Sequence, residues 1–125
     1  MSKIEAFGKE IFEWLSQFAT TYRNELPADP NIEVADLYIK IGGYYDNFAT
    51  RFVYPLKIYK QNTTSHKEVI EVADNISEAI GDGGLLIRGN GVTIVIYKGS
   101  PFYQDMQDED NTIRAGYVNL EISIY

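Results

Sequence analysis

The sequence contains no cysteine and only one histidine among its 125 residues. The missing thiols exclude disulfide bonds, thiol catalysis and zinc sites built from thiolates. A single histidine also leaves little basis for a metal site made of imidazoles. We therefore expect neither a metal nor a cofactor.

Basic residues are scarce as well. Eleven Lys and Arg stand against eighteen Asp and Glu, which gives a formal net charge of −7. An acidic surface repels a phosphate backbone, so a protein that grips DNA or RNA is not expected. The sequence has no run near the ~18 apolar residues of a membrane span. Its first residues lack the features of a signal peptide, and the default expectation is a cytoplasmic protein.

Tyrosine, by contrast, is abundant: ten tyrosines accompany six phenylalanines and one tryptophan. Hydrophobic residues make up 45% of the chain, enough for one domain, residues 1–125, with one hydrophobic core. Tyrosine combines a large apolar body with a polar tip and is enriched at protein interfaces. The composition therefore indicates contact surface more than chemistry.

Two segments have the three- and four-residue apolar spacing of amphipathic helices. The first is predicted over residues 2–23, with Ser2 as the N-cap of a capping box; a coiled-coil seam is its alternative. The second is predicted to begin at the N-cap Ser65, with Glu68 completing a capping box, and to end near Gly81. Its inward stripe consists of Val69, Val72, Ala73, Ile76 and Ile80.

Alternating apolar residues predict five strands, over 37–41, 50–60, 85–88, 92–98 and 115–125. Gly89-Asn90-Gly91 is typical of a tight hairpin. Pro55 has no N–H, so its strand is expected to lie at an edge or to be bulged there. Together the elements predict an α+β protein, a two-layer sandwich. Its antiparallel or mixed sheet of about four to five strands carries the two helices on one face.

Several tyrosines fall on the side of the strands that we predict to be exposed. Cross-strand aromatic pairs stabilise a sheet by themselves. An exposed sheet face rich in tyrosine is also typical of a subunit interface, and both interpretations stay open. The exposed tyrosines are Tyr59, Tyr97, Tyr117 and Tyr125.

Residues 99–114 show no apolar period and are predicted to form a long loop, a feature that is usually functional or disordered. The loop lacks the Gly and Glu positions of a calcium-binding EF-hand. A solvated loop, a weak surface metal site and a loop that faces a partner or a pore remain as interpretations. The candidate interface or lumen residues are Phe102, Tyr103, Asp105, Asp108, Glu109, Asp110 and Arg114.

No set of residues indicates catalysis. His66 has Ser65 and Glu68 within local reach, but helix capping explains both neighbours. Turn chemistry explains Asp46. The glycines over 81–91 lack the Gly-Lys-Ser/Thr of a phosphate-binding loop. We therefore expect a protein that is not an enzyme.

The order of elements resembles a known family. It comprises an amphipathic N-terminal helix, the strand Arg51-Phe52-Val53-Tyr54-Pro55-Leu56-Lys57-Ile58-Tyr59 and the helix opening Ser65-His66-Lys67. A hairpin, a long loop and the closing strand Gly116-Tyr117-Val118-Asn119-Leu120-Glu121-Ile122-Ser123-Ile124-Tyr125 follow. This pattern is similar to the minor capsid or tail terminator (tail-completion) proteins of long-tailed phages of Gram-positive bacteria.

The resemblance implies a structural role in the virion, at the junction of head and tail. Such proteins form a ring, usually of six subunits, that caps the tail tube and docks on the head connector. The genome passes through the ring, and an acidic lumen would let DNA slide without binding it specifically. The alternatives from other classes are a monomeric acidic binding module, such as an immunity or inhibitor protein, and an enzyme with carboxylate chemistry.

Overall fold

The computed structural model describes residues 2–24, 26–29, 31–43, 45 and 51–125. Residues Asp46 and Thr50, which the sequence assigned to a turn and to the start of a strand, lie outside the described residues. The elements in chain order are α1 (Lys3–Leu15), β1 (Thr20–Arg23), β2 (Leu37–Ile41), β3 (Phe52–Lys60), α2 (Lys67–Ile80), β4 (Leu85–Gly89), β5 (Val92–Met106) and β6 (Arg114–Ile124).

The six strands form one mixed sheet in the order β1-β2-β3-β6-β5-β4. Strands β1 and β2 are parallel, and all other neighbours are antiparallel. The predicted α+β class, with two helices and a mixed sheet, is confirmed. The predicted count of four to five strands is too low because β1 was assigned to a helix.

Helix α1 begins where the sequence predicts. The Ser2 side chain accepts a hydrogen bond from the Glu5 N–H at 3.2 Å, which confirms the N-cap. The helix ends at Leu15, however, and the prediction that it continues to residue 23 is wrong. Residues Thr20–Arg23 extend and pair with β2 instead. Two β-branched threonines open this segment, and β-branched residues favour strands.

Helix α2 buries all five residues of its predicted stripe. It begins at Lys67, so the predicted N-cap at Ser65 is wrong by one residue: the Ser65 hydroxyl accepts from the Lys67 N–H at 3.1 Å. Glu68 lies 3.7 Å from the Lys60 ammonium and forms an ion pair with it. Gly81 ends the helix at a φ of 69°, a conformation that suits glycine.

The hairpin between β4 and β5 is confirmed. Asn90 and Gly91 are its two turn residues, and both have positive φ, as a type I′ turn requires. The long loop predicted over residues 99–114 is wrong, because β5 continues to Met106 and only residues 107–113 connect it to β6. A register shift between Lys98 and Tyr103 interrupts the alternation there.

Pro55 lies in the third of six strands, not in an edge strand. The pairing of β3 with β2 ends at Leu56, whereas its pairing with β6 continues past Pro55 to Phe52. At Pro55, β3 therefore pairs with β6 on one side and no longer with β2 on the other. A proline is tolerated at such a local edge because its missing N–H interrupts no pairing there.

Both helices share one hydrophobic core with the inner face of the sheet. Phe7 of α1 meets the rings of Tyr45, Phe52 and Tyr54 edge to face, with centroids 5.7–5.9 Å apart. The alternating residues of the central strands complete the core, with Leu56, Ile58, Ile94, Ile96, Val118, Leu120 and Ile122 fully buried. Neither described helix has the length and apolar character needed to cross a membrane.

Candidate functional site

The outer face of the sheet, the side turned away from α1 and α2, carries the tyrosines predicted for it. Tyr59, Tyr97 and Tyr117 alternate with core residues on β3, β5 and β6 and are half-buried. Tyr125 follows the end of β6 and is 64% exposed, while its backbone pairs with that of Thr93. These side chains share one face but do not form one continuous ladder.

A second group of tyrosines lies at one end of the outer face. Tyr38 stacks on Tyr59 with centroids 5.1 Å apart, and Tyr22 meets Tyr38 edge to face at 5.5 Å. The Tyr22 hydroxyl accepts from the Ala35 N–H at 3.1 Å. Burial, followed by electrostatic interaction with Tyr59, Asp108 and Tyr22, raises the pKa of Tyr38. We call Tyr22, Tyr38 and Tyr59 the tyrosine cluster.

Sequence reasoning missed two members of the tyrosine cluster. Tyr38 lies directly opposite Tyr59 in the register of β2 and β3. This pairing can be predicted only when it is known that the two strands are neighbours. Tyr22 was assigned to the stripe of the first helix and in fact belongs to β1. The cluster packs its rings against each other, so it stabilises the β1–β2–β3 end of the sheet.

Arg51, just before β3, forms a contact that links three strands. Its guanidinium lies 3.3 Å from the Glu121 carboxylate of β6 and 3.8 Å from the ring centroid of Tyr97 on β5. Val53, two residues on, and Leu86 of β4 are 59% and 52% exposed on the same face. Apolar side chains beside an arginine stacked on an aromatic ring are typical of interface anchors.

A concave site lies on the outer face over β2, β3 and β6. Lys40 and Lys57 are direct cross-strand partners, and the Lys57 ammonium lies 5.2 Å from the ring centroid of Tyr117. A cavity of about 470 Å³ opens between these side chains, Asn24, Gly42 and Pro55. We call it the lysine cavity. The amino-acid sequence alone does not indicate this cavity, because it depends on the register of β2 against β3.

The residues predicted to form one interface loop are divided between strands and a turn. Phe102, Tyr103 and Asp105 belong to β5, where the first two are half-buried against the core. Arg114 belongs to β6, and its guanidinium donates to the backbone oxygens of Asn111 and Ile113. Phe102, Tyr103 and Arg114 are therefore engaged within the chain, whereas the Asp105 side chain is 58% exposed.

Tyr103 and Asp105 interact directly. The Tyr103 hydroxyl donates to the Asp105 carboxylate at 2.6 Å, and burial together with this bond raises the pKa of Tyr103. The His66 ring nitrogen Nε2 lies 4.0 Å from the same carboxylate and 3.4 Å from the Met106 carbonyl oxygen. These three side chains connect the start of α2 to the end of β5.

Ser65 lies at the start of α2 as well. Its hydroxyl oxygen accepts a hydrogen bond from the N–H of Lys67, the first residue of the helix.

Asp108, Glu109 and Asp110 remain fully on the surface, in the connection 107–113, which we call the acidic turn. Asp108 accepts from the Asp110 N–H at 2.9 Å. Asp110 accepts from the Thr112 hydroxyl at 2.7 Å and from the Thr112 N–H at 2.8 Å. These bonds, the hydroxyl first, lower the pKa of Asp110. The turn therefore has an ordered backbone with three exposed carboxylates.

Within the described ranges, no group of three or more His, Asp or Glu residues could hold a metal ion.

The chain was compared with known proteins. No family model matches the sequence, and no curated protein matches it. A solved structure is similar, with a TM-score of 0.60 over 97% of this chain and 92% of that chain, at 14% sequence identity. Since so few residues are identical, this similarity shows the fold alone.

Proposed function

We propose that this chain is a structural virion protein, a tail terminator or minor capsid protein. It forms a ring that caps the phage tail tube and joins it to the head connector. The observation that carries the proposal is the outer face: none of the described helices covers it, and it bears half-buried tyrosines, Arg51 and the exposed Val53 and Leu86. In this arrangement the helices form one layer, the sheet forms the second, and the outer face is left for neighbouring subunits.

The sheet topology suits assembly into a ring. Among the described residues, strands β1 and β4 are the two ends of the sheet, so each has one row of backbone groups that pairs with no further strand. Subunits in a ring contact each other head to tail, through two different patches on each copy. Two dissimilar edges and an open face supply such a pair of patches, whereas a twofold dimer needs only one patch that matches itself.

The charge of the chain also supports this role. A ring crossed by DNA works best when its lumen repels the phosphate backbone, and the net charge of −7 has the sign that such a lumen needs. The proposed role needs no catalytic residue, cofactor or metal. Its partners are further copies of the chain, the tail tube and the connector, and its location is the head–tail junction of the virion.

Deletion of the gene in the phage or prophage that encodes it tests the proposal. We expect heads and tails that do not join and tail tubes of uncontrolled length, as seen by electron microscopy of the lysate. Supply of the intact chain from a plasmid should restore joined particles. Joined, infectious particles with tails of normal length in the deletion strain would refute the proposal.

One observation favours a second candidate. The acidic turn presents three exposed carboxylates on an ordered backbone, and such a surface fits a monomeric immunity or inhibitor protein that masks a basic partner. Light scattering separates the two candidates. A ring of several subunits supports the terminator, and a strict monomer that binds a basic protein supports the binding module.

A further inference from the structure

Lys40 and Lys57 form an uncompensated pair of positive charges. They lie directly opposite each other in the β2–β3 register, and like charges in that position destabilise a sheet. Four other cations among the described residues, Lys9, Arg51, Lys60 and Lys98, do have an acidic partner within ion-pair distance. Among the described residues, no carboxylate lies within ion-pair distance of Lys40 or Lys57.

The surroundings of the two lysines are those of a binding site for an anion. The lysine cavity is concave and, at about 470 Å³, falls within the roughly 300–1,000 Å³ of typical ligand sites. The ring of Tyr117 and the side chain of Pro55 provide apolar contact beside the two ammonium groups. On a chain of net charge −7, this is a local concentration of positive charge. Carboxylates form strong, charge-assisted hydrogen bonds with such ammonium donors.

Building on the proposed function, we infer that the lysine cavity receives the acidic turn of a second copy of this chain. Asp108, Glu109 and Asp110 are exposed and adjacent, which gives charge complementarity to two neighbouring lysines. The hydrogen bonds inside the turn fix its backbone, so little conformational freedom is lost on docking. Among the described residues, the turn makes no ion pair with the lysines of its own chain, which leaves both surfaces available to a neighbouring copy.

The contact is heterologous, because cavity and turn are different parts of one subunit. Each subunit offers its turn to one neighbour and its cavity to the other, and repetition of the contact closes a ring or extends a filament. A contact between opposite charges also weakens as salt screens it.

A charge exchange tests the inference. The cavity variant is K40E/K57E and the turn variant is D108K/E109K/D110K; light scattering and sedimentation report the assembly of each. We expect each variant alone to weaken self-association by about tenfold for every ion pair lost. Mixing the two variants should restore assembly. The acidic turn of the cavity variant fits the lysine cavity of the turn variant, and the lysine turn of the turn variant fits the glutamate cavity of the cavity variant. The five substitutions in one chain should restore assembly too.

Matched controls carry the same change of charge elsewhere. K3E/K67E reverses two exposed lysines, and E71K/D74K/E78K reverses three exposed acids on α2; both should assemble like the original chain. If K40E/K57E does not fold, as judged by circular dichroism, the milder K40Q/K57Q takes its place in the measurement of weakened assembly, and the mixing arm is left out because a neutral cavity offers no charge to the lysine turn.

Three results would overturn the inference. In the first, the cavity and turn variants assemble as well as the original chain, or their mixture gains nothing over either alone. In the second, the original chain stays monomeric at millimolar concentration. In the third, calorimetry shows glutarate or inorganic phosphate in the cavity while turn variants assemble normally, which makes the occupant a small anion. The first and third results leave the proposed function to the deletion experiment, whereas a strict monomer also counts toward the binding module and the deletion experiment then decides between the two candidates.

Discussion

The ring of Tyr103 lies over Gly116, its diagonal neighbour across the β5–β6 pair. A Cβ atom at residue 116 would collide with Cε2 of that ring. The glycine thus leaves room for an aromatic ring on the inner face, an arrangement known to stabilise glycines in sheets. With the ring in this place, the Tyr103 hydroxyl reaches the Asp105 carboxylate at 2.6 Å.

Substitution G116A is therefore expected to destabilise the protein by about 1–3 kcal/mol, the usual effect of overpacking. Urea denaturation followed by circular dichroism measures this. In a Y103A background the added methyl group should have almost no further effect, because the ring is gone. G83A is the control, since nothing lies within 4 Å of the Cβ position of Gly83. An equal loss in G83A and G116A would contradict the explanation.

Helix α2 allows a matched comparison of two isoleucines. Ile76 is fully buried, whereas Ile70 is 39% exposed. I76A should lower the free energy of unfolding by about 2–5 kcal/mol, because it leaves a cavity between helix and sheet. I70A makes the same chemical change on the exposed side of the helix and should lower it by about 1 kcal/mol or less. Similar values for the two variants would argue against the described packing of α2.

The β4–β5 hairpin is connected to α1 through Asn90, whose side-chain amide donates to the Glu10 carboxylate at 2.7 Å. Its φ of 51° suits asparagine and glycine. N90G keeps the backbone conformation and loses the hydrogen bond, so we expect a loss of about 0.5–1 kcal/mol. N90A adds backbone strain, and a loss of about 1–2 kcal/mol is expected in thermal or urea unfolding. E10A should have no further effect in the N90G background; an additive effect would disprove the pairing.

The acidic turn gives a prediction for pH. In the folded state the Thr112 hydroxyl and N–H lower the pKa of Asp110. A carboxyl whose folded pKa is depressed stabilises the folded state above its unfolded pKa, and this contribution is lost as pH falls through the folded pKa. T112V removes the hydroxyl, so the pKa of Asp110 should rise toward its ordinary value. Titration of the Asp110 carboxyl carbon by NMR measures the change, with T64V as the control. An unchanged pKa in T112V would show that the hydroxyl is not the main cause.

The sequence predicts the core of this fold because apolar spacing is a local property. The stripe of α2, the alternation of β3 and β6 and the Asn90-Gly91 turn all follow from neighbouring residues. Strand β1 does not, because Phe18 and Tyr22 continue the spacing of α1 by coincidence. Only its parallel pairing with β2, which is distant in sequence, makes the segment a strand.

The candidate site was harder to predict for a related reason. The register shift between Lys98 and Tyr103 breaks the alternation of β5, so half of this strand resembles a loop in sequence. The lysine cavity exists because Lys40 and Lys57 are opposite each other. The register of two strands that are not joined by a short turn cannot be derived from either strand alone.

Strand β6 lies between β3 and β5 and, in the part of the chain that the structure describes, joins these two strands into one sheet. Without β6, the β1–β3 part and the β4–β5 hairpin would each have an unpaired edge along their longest strand. Unpaired strand edges favour aggregation, so substitutions that weaken the pairing of β6 are expected to increase aggregation as well as to lower stability.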